Sequence, residues 1–338
     1  MMDRSTTVTR RRFLATSMMG MVGVRAALLA RGQLDVATYR ALGLHEPPDL
    51  RGVSAEDFAR FLNPPEDDQY HPCAEAYPDP ATPRGALTKY ERWSASRIFG
   101  GTERDVWIYI PAQFDSVSAP PDLIVFQDGA GYVNPTGPVR APAVLDSLIH
   151  AGDLRPTVAV FVNPGTKVPP RDAADPEFGR QRSLEYDSVT DAYVRFVLDE
   201  LLPFVERETG RPVSADPSRR SICGLSSGGI CAWTAAWFRP DAFGRVLSHC
   251  GSFTNIRGGH NYPYLVRTTA RKPIRAFLTS GTMDLDIPIG NWPLANRQMA
   301  SALDYAGYDY RFEFGEGGHT LRHGGAIFAQ SLRWLLRS

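Results

Sequence analysis

The stretch Gly224-Leu225-Ser226-Ser227-Gly228 fits the pattern Gly-x-Ser-x-Gly, in which a serine occupies a sharp turn between a strand and a helix. A strand-like run, Arg219 to Cys223, precedes it, and a helix-like run, Gly229 to Phe238, follows it. Such a turn forces unfavourable backbone angles on the serine, and the flanking glycines let strand and helix approach without Cβ clashes. The pattern predicts Ser226 as a nucleophile, although a small-residue turn without chemistry has the same composition.

Two further residues follow in the order that a hydrolase of this kind requires, an acid and then a histidine. Asp284 and His319 each come shortly after a strand-like run. Because the carboxyl ends of parallel strands meet at one edge of a sheet, we expect both residues to lie near Ser226. Asp286 is a second carboxylate in the same loop, but Asp284 is closer to the strand and is the predicted acid.

Length and hydropathy favour one enzyme domain around a large core. The chain has 338 residues, of which 43% are hydrophobic, and strand-like and helix-like runs alternate from Gly85 onwards. Leu123 to Phe126 and Val158 to Val162 are continuous apolar runs, the pattern of strands buried on both faces. We therefore predict an α/β fold with a mostly parallel central sheet and helices on both faces. Asp187 to Arg207 is expected to form one long helix that Pro203 bends or ends.

The charge of the chain is balanced, with 37 basic and 37 acidic residues. A nucleic-acid-binding surface requires an excess of basic residues, so the composition argues against a nucleic acid partner. Nothing in the sequence indicates an oligomeric state.

Residues 1–30 resemble a twin-arginine export signal. Arg10 and Arg11 precede Phe13-Leu14, and a weakly apolar stretch runs from Ala15 to Ala30. Arg25 interrupts that stretch, which leaves it too short and too polar for a stable membrane span. The export signal predicts a periplasmic or secreted protein, and the alternative is a disordered basic N-terminus.

Residues 31–84 are rich in proline and acidic residues, as in Asn63-Pro64-Pro65-Glu66-Asp67-Asp68. Only Ser54 to Leu62 is expected to be helical. We interpret this segment as an N-terminal arm on the surface of a catalytic domain that spans residues 85–338, and the sequence assigns it no function.

A glycine-rich loop, Gln127 to Tyr132, follows the first buried strand. Ester hydrolases place one backbone N–H of the oxyanion hole in such a loop, and the other belongs to the residue after the nucleophile, here Ser227. Without Ser226 the loop would pass for an ordinary Asp-Gly turn.

Several other side chains are candidates for substrate binding. Tyr132, His260 and Trp292 are expected on loops at the catalytic edge, where they could contact substrate or pack against the rim of the sheet. His323 follows His319 at the spacing of a helical zinc pair, but no glutamate follows His319 and two glycines come directly after His323. We therefore predict no metal site and place His323 either at the rim of the pocket or behind the side chains that contact substrate.

The chain resembles the putative-esterase family of enterochelin esterases, feruloyl esterases and S-formylglutathione hydrolase, which has the α/β-hydrolase fold. The resemblance runs from about Gly85 to Ser338, and it is carried by Phe126 to Tyr132, Arg182 to Asp187, Gly224 to Ala232, Gly281 to Asp284 and Gly317 to His319.

This resemblance implies Ser226 as nucleophile, His319 as base, Asp284 as acid, and the backbone amides of Ala130 and Ser227 as oxyanion donors. The chain departs from many members at Asp128-Gly129, where they have His-Gly.

We therefore expect an exported serine carboxylesterase that needs no cofactor. The expected substrate is a small-molecule or carbohydrate ester, with a hydroxycinnamoyl, acetyl or siderophore-type acyl group. The alternatives are an acyltransferase of the same fold, which accepts an alcohol in place of water, and a catalytically silent binding protein.

Overall fold

The computed structural model describes residues 55–116, 118–168 and 181–337. The predicted export signal, residues 1–30, and the first part of the predicted arm, residues 31–54, lie outside the described residues.

The main sheet contains most of the strands in the described part of the chain, and its hydrogen-bonded order is β1-β2-β4-β3-β6-β7-β8-β11, with β5 beside β2. The strands of the fold are β1 (Ala86–Trp93), β2 (Thr102–Ile110), β3 (Asp122–Gln127), β4 (Thr157–Val162), β5 (Thr166–Lys167), β6 (Arg220–Leu225), β7 (Arg245–His249), β8 (Arg275–Met283), β9 (Asp286–Ile287), β10 (Gly290–Asn291) and β11 (Asp309–Gly318). Strands β4, β3, β6, β7, β8 and β11 run parallel, whereas β1 and β2 are antiparallel. The predicted mostly parallel α/β sheet is confirmed.

Helices connect these strands. Within the described residues they are α1 (Ala55–Leu62), α2 (Gly129–Val133), α3 (Ala141–His150), α4 (Gln181–Tyr186), α5 (Ala192–Phe196), α6 (Leu202–Thr209), α7 (Ser227–Phe238), α8 (Tyr262–Thr268), α9 (Trp292–Tyr305), α10 (Arg322–Ala326) and α11 (Phe328–Leu335). No helix in this part of the chain is both long and apolar enough to span a bilayer.

The prediction of one long α-helix over Asp187 to Arg207 is wrong in two respects: the helix begins later, and it is not α-helical throughout. The first helical residue is Ala192, and a π-helical turn, Val197–Leu201, separates α5 from α6. Pro203 lies in the first turn of α6 and has no N–H to donate to the preceding turn. Helical residues continue on both sides of Pro203, so the proline neither ends the segment nor begins it, and the change from π-helical to α-helical hydrogen bonding falls next to it.

The core has two layers, one on each face of the sheet. Leu123 and Val125 of β3 belong to one apolar cluster, whereas Ile124 and Phe126 belong to the other. Successive side chains of a strand point to opposite faces, so this division identifies the two layers. Every residue of β3 and β4 is buried, as their continuous apolar sequences predict.

The described part of the arm packs directly against one of the two core layers. Ala76 is buried within the apolar cluster that contains Phe126, and Cys73 packs against the same cluster. Ser147 of α3 donates a hydrogen bond to the carbonyl oxygen of Glu75 at 2.8 Å, and the Glu75 carboxylate pairs with Arg333 at 2.7 Å. The arm is therefore part of the packed structure from α1 onwards.

Candidate active site

The turn between β6 and α7 has the geometry of a nucleophile elbow. Ser226 has φ 60° and ψ −122°, a combination that residues with a side chain rarely adopt. A Cβ atom on Gly224 would lie 2.4 Å from the carbonyl carbon of Gly228. Glycine is therefore required where the end of the strand crosses the start of the helix, as the sequence pattern predicts.

Three side chains from separate loops form a continuous hydrogen-bonded chain. His319 Nε2 lies 2.7 Å from Ser226 Oγ, and His319 Nδ1 lies 2.6 Å from Asp284 Oδ1. Asp284 and His319 are both buried. The structure thus brings together the three residues for which the sequence predicted a triad.

Hydrogen bonds fix the Asp284 carboxylate from both sides. Ser280 donates its hydroxyl to Asp284 Oδ2 at 2.7 Å, and the backbone N–H of Leu285 donates to Oδ1 at 2.8 Å. Asp286 is exposed on the short strand β9. Of the two carboxylates in this loop, Asp284 is the one in contact with His319.

One group of potential metal ligands coincides with this chain. A ligand atom of each of Cys250, Asp284 and His319 lies within 4.8 Å of the others. A metal ion held there would have to break the short bond between Asp284 and His319. Burial and the nearby Asp284 carboxylate raise the pKa of the Cys250 thiol well above its usual value, which disfavours the thiolate that a metal requires. The geometry favours proton transfer over metal binding.

The two predicted oxyanion donors have different surroundings. Ser227 is the first residue of α7, so its backbone N–H belongs to the unpaired group at a helix N-terminus. Ala130 is exposed, and its backbone N–H donates to Asn163 Oδ1 at 3.0 Å. Ala130 can therefore donate to a substrate only after the bond to Asn163 opens.

A bidentate ion pair lies between the segment Gln127 to Tyr132 and the elbow. Arg182 Nε and Nη2 donate to the two carboxylate oxygens of Asp128 at 2.9 and 2.7 Å. Arg182 Nη2 also lies 3.5 Å from the carbonyl oxygen of Leu225, next to Ser226. Asp128 has φ 54°, a left-handed conformation that aspartate tolerates better than most residues.

A buried carboxylate lies beneath the elbow. Asp187 is 2% exposed, and burial raises the pKa of its carboxyl to about 6, although Ser183, Arg182 and Ser227 each lower it. A carboxyl group with this pKa changes its charge in mildly acidic solution, here next to Ser227.

Two of the predicted substrate-binding aromatics are not on open loops. Tyr132 lies on α2 and is fully buried, with its ring 5.0 Å from Phe126, so the prediction that it contacts substrate is wrong. The glycine-rich segment continues as a helix that turns Tyr132 into the core. Trp292 is also buried, and its ring packs edge-on against His319 at 5.7 Å. It supports the imidazole and is not an open stacking surface.

The two predicted substrate-binding histidines also differ. His323 is 9% exposed, and its ring lies 4.7 Å from that of Tyr70, so it lies under the arm and not at the pocket rim. The alternative position, behind the side chains that contact substrate, stays a prediction. Burial lowers the pKa of His323. His260 is exposed on a turn whose neighbouring Gly259 packs against Ile230 of α7. It remains a predicted substrate contact.

Sequence reasoning missed Ser252. Its hydroxyl oxygen lies 3.3 Å from Ser226 Oγ and accepts a hydrogen bond from the Trp292 indole at 3.2 Å. Its backbone N–H donates to the carbonyl oxygen of Ser226 at 3.1 Å. Ser252 follows the carboxyl end of β7 closely, and the rule that loops at this edge carry function could have identified it.

Comparison with known sequences places the chain among esterases. A family model described as "Putative esterase" matches residues 96–334. The iron(III) enterobactin esterase of Dickeya dadantii (strain 3937) is 32% identical over 260 residues, which cover 72% of this chain and 54% of that protein. The iron(III) enterobactin esterase of Escherichia coli (strain K12) is 31% identical over 163 residues, or 48% of this chain and 35% of that protein. The chain thus spans about half or less of the length of these relatives.

Solved structures give the same fold. The enterobactin esterase from Shigella flexneri in the presence of enterobactin has a TM-score of 0.59 and 24% identity, with 80% of this chain and 62% of that chain covered. A ferulic acid esterase from Anaeromyces mucronatus in complex with ferulic acid has a TM-score of 0.56 and 14% identity, with 79% of this chain and 96% of that chain covered. At such identities the likeness establishes the fold alone, and it confirms the predicted α/β-hydrolase fold. Because the family model covers most of its length, the chain belongs to the putative-esterase family.

Proposed function

We propose that this protein is a serine carboxylesterase in which Ser226 is the nucleophile, His319 the general base and Asp284 the acid. The observation that carries the proposal is the chain of hydrogen bonds, 2.7 Å from Ser226 to His319 and 2.6 Å from His319 to Asp284, at a strained elbow. A serine hydroxyl reacts with esters only when a neutral imidazole takes its proton, and this arrangement meets that requirement.

The reaction proceeds in two halves. Ser226 Oγ attacks the ester carbonyl carbon while its proton passes to His319 Nε2, and the tetrahedral intermediate expels an alcohol that takes that proton. Water then attacks the acyl-enzyme, giving one proton to His319 and releasing the acid and the Ser226 hydroxyl. Asp284 accepts a hydrogen bond from His319 Nδ1–H, which keeps Nε2 free as the acceptor and stabilises the imidazolium in both halves.

The backbone N–H groups of Ser227 and Ala130 stabilise the negative charge on the carbonyl oxygen. Two such donors aimed at the developing charge are worth roughly a hundred- to a thousandfold each in turnover. The substrate carbonyl replaces Asn163 Oδ1 as the acceptor for Ala130, so productive binding exchanges one hydrogen bond for another.

The proposed substrate is an ester with an aromatic or small acyl group, such as a catecholate siderophore ester, a hydroxycinnamoyl ester or an acetyl ester. The names of the similar proteins, iron(III) enterobactin esterase and ferulic acid esterase, support this range.

Turnover of the full chain on a substrate panel tests the proposal. The panel contains aryl acetate, aryl butyrate, feruloyl ester, catecholate lactone and thioester, each with and without an added alcohol acceptor. We expect hydrolysis of at least one oxygen ester and complete dependence on Ser226. Turnover that appears only with the alcohol acceptor would instead identify an acyltransferase, and no turnover of any ester would contradict the proposal.

We also propose export through a twin-arginine system. The support is Arg10-Arg11 followed by Phe13-Leu14, in a segment that lies outside the described residues. Replacement of Arg10 and Arg11 by lysine should retain the protein in the cytoplasm of a host with such a system. Unchanged periplasmic or secreted protein from the double variant would contradict this route.

A further inference from the structure

Three consecutive residues, Gly318 to Thr320, hydrogen-bond to the arm; together with Gly317 they form what we call the histidine loop. The backbone N–H of Gly318 donates to Asp67 Oδ1 at 2.9 Å, and the Thr320 hydroxyl donates to Asp67 Oδ2 at 2.7 Å. The backbone N–H of His319 itself donates to the carbonyl oxygen of Phe61 at 2.6 Å. The arm therefore contacts His319 at its own backbone N–H and also contacts the residues immediately before and after it.

Asp67 is built into this contact and is not a surface charge. Its side chain is fully buried, and each carboxylate oxygen accepts one of the two bonds from the loop. Hydrogen bonds to a buried carboxylate are stronger than those between neutral groups. The backbone of Asp67 is fixed as well, because its N–H donates to Pro64 O at 3.0 Å and its carbonyl accepts from Tyr70 N–H at 3.0 Å.

The loop and the arm fit closely. A Cβ atom on Gly318 would lie 2.4 Å from the carbonyl oxygen of Phe61 and 2.6 Å from the Pro64 ring, and one on Gly317 would lie 2.8 Å from Asp67 Oδ1. Consecutive glycines would leave the histidine loop free to move if nothing packed on it. The arm removes that freedom next to the catalytic imidazole.

We propose that Asp67 is a positioning residue for His319, which it holds in line between Ser226 and Asp284; this rests on the proposed function of His319 as the base. The family model matches from residue 96 onwards, so Asp67 lies before the residues that the model covers. Displacement of a catalytic group by about 1 Å lowers turnover by roughly a hundredfold, so support of the backbone at this point controls the rate.

The test compares Asp67→Ala with Asp67→Asn. Alanine removes both acceptors, and we expect kcat to fall by about ten- to a hundredfold while KM for a small aryl ester stays within about threefold. Asparagine keeps an acceptor for Gly318 N–H, and the Thr320 hydroxyl can turn to accept from its amide, so we expect most activity to remain. Asp68→Ala is the matched control, because Asp68 is exposed and pairs with Arg322 at 3.0 Å, away from the loop contacts of Asp67.

A double variant separates positioning from a general loss of structure. If Asp67 acts through His319, adding Asp67→Ala to His319→Ala should cause no further loss of residual turnover. The proposal would be overturned if Asp67→Ala lowered turnover by the same factor in the wild type and in His319→Ala. A wild-type kcat in Asp67→Ala would also overturn it. If Asp67→Ala fails to fold, Thr320→Val removes one of the two donors and should lower kcat by a smaller factor; no effect would overturn the proposal.

A spectroscopic measurement does not depend on turnover. The proton shared by His319 Nδ1 and Asp284 gives a low-field NMR resonance, which should broaden in Asp67→Ala and stay sharp in Asp67→Asn and Asp68→Ala. An unchanged resonance in folded Asp67→Ala would contradict positioning by Asp67. Absence of Ser226-dependent hydrolysis in the wild type would instead contradict the proposed function.

Discussion

The elbow and the arm both hold a member of the proposed triad, but the sequence encodes them in different ways. At the elbow, the glycines, the strained serine and the helix start all lie within Gly224 to Gly228, so the requirement is local. In the arm, Asp67 contacts Gly318 across 251 residues of chain. A local motif can be read from sequence, whereas a distant support becomes visible only when the chain is folded.

The largest effect is expected at the elbow. Ser226→Ala removes the nucleophile and should lower kcat by more than about ten-thousandfold, measured with an aryl ester. Ser227→Ala keeps the backbone N–H that is the proposed oxyanion donor and should retain most activity. If Ser227→Ala were inactive while Ser226→Ala turned over normally, the elbow would be assigned to the wrong serine.

The second prediction distinguishes which of the two carboxylates in one loop, Asp284 or Asp286, orients His319. Asp284→Asn replaces the charge that stabilises the His319 imidazolium and favours the wrong tautomer, so kcat should fall by about ten-thousandfold. Asp286→Asn changes an exposed side chain and should alter kcat by less than about twofold. Both variants are assayed at one pH, and the reverse ranking would place the acid at Asp286.

A third prediction concerns stability beneath the elbow. The pKa of Asp187 rises from 3.8 to about 6 in the fold, so the folded state keeps a proton that the unfolded state loses between these values. The free energy of unfolding should therefore fall as pH rises from about 4 to about 6, by roughly 3 kcal/mol from this group, and change little above that.

Urea denaturation at several pH values checks this prediction. Asp187→Asn does not titrate and should lack this part of the pH dependence, whereas the exposed control Asp286→Asn should keep it. Equal slopes in the wild type and Asp187→Asn would show that folding does not raise the pKa of Asp187.

The smallest effects are expected from alanine substitutions of two glycines, Gly224 at the elbow and Gly318 where the arm packs. A Cβ would lie 2.4 Å from backbone in both, from Gly228 for Gly224 and from Phe61 for Gly318. Each alanine variant should lose roughly 1–3 kcal/mol of unfolding free energy, measured by urea denaturation. Gly100→Ala is the control, because its Cβ would lie 3.5 Å from the nearest atom, an ordinary van der Waals contact, and its backbone is not left-handed. A Gly318→Ala variant no less stable than Gly100→Ala would mean that the arm does not pack tightly on the loop around His319.

Much of the framework was predictable because it depends on local pattern. Continuous apolar runs located β3 and β4, and the spacing of glycines located the elbow. The order of Ser226, Asp284 and His319 was sufficient to predict that their loops meet, since parallel strands bring their carboxyl ends to one edge.

The surroundings of the site were not predictable, since they depend on contacts between distant segments. Arg182 and Glu185 are only three residues apart, but Arg182 binds Asp128 and Glu185 binds Arg104 at 2.6 Å. Tyr132 was expected on a loop because glycines surround it, yet helix α2 buries it. In each case tertiary packing overrides the local signal.

Trapping of the acyl-enzyme tests whether Ser226 is the nucleophile. Full-length protein is mixed with an activated aryl ester, quenched in acid within milliseconds to seconds, and analysed by intact and peptide mass spectrometry. We expect a transient mass increase of one acyl group, located on the peptide that contains Ser226 and absent from Ser226→Ala. Efficient ester hydrolysis with no adduct at any time, or an adduct on another residue that Ser226→Ala retains, would contradict covalent catalysis by Ser226.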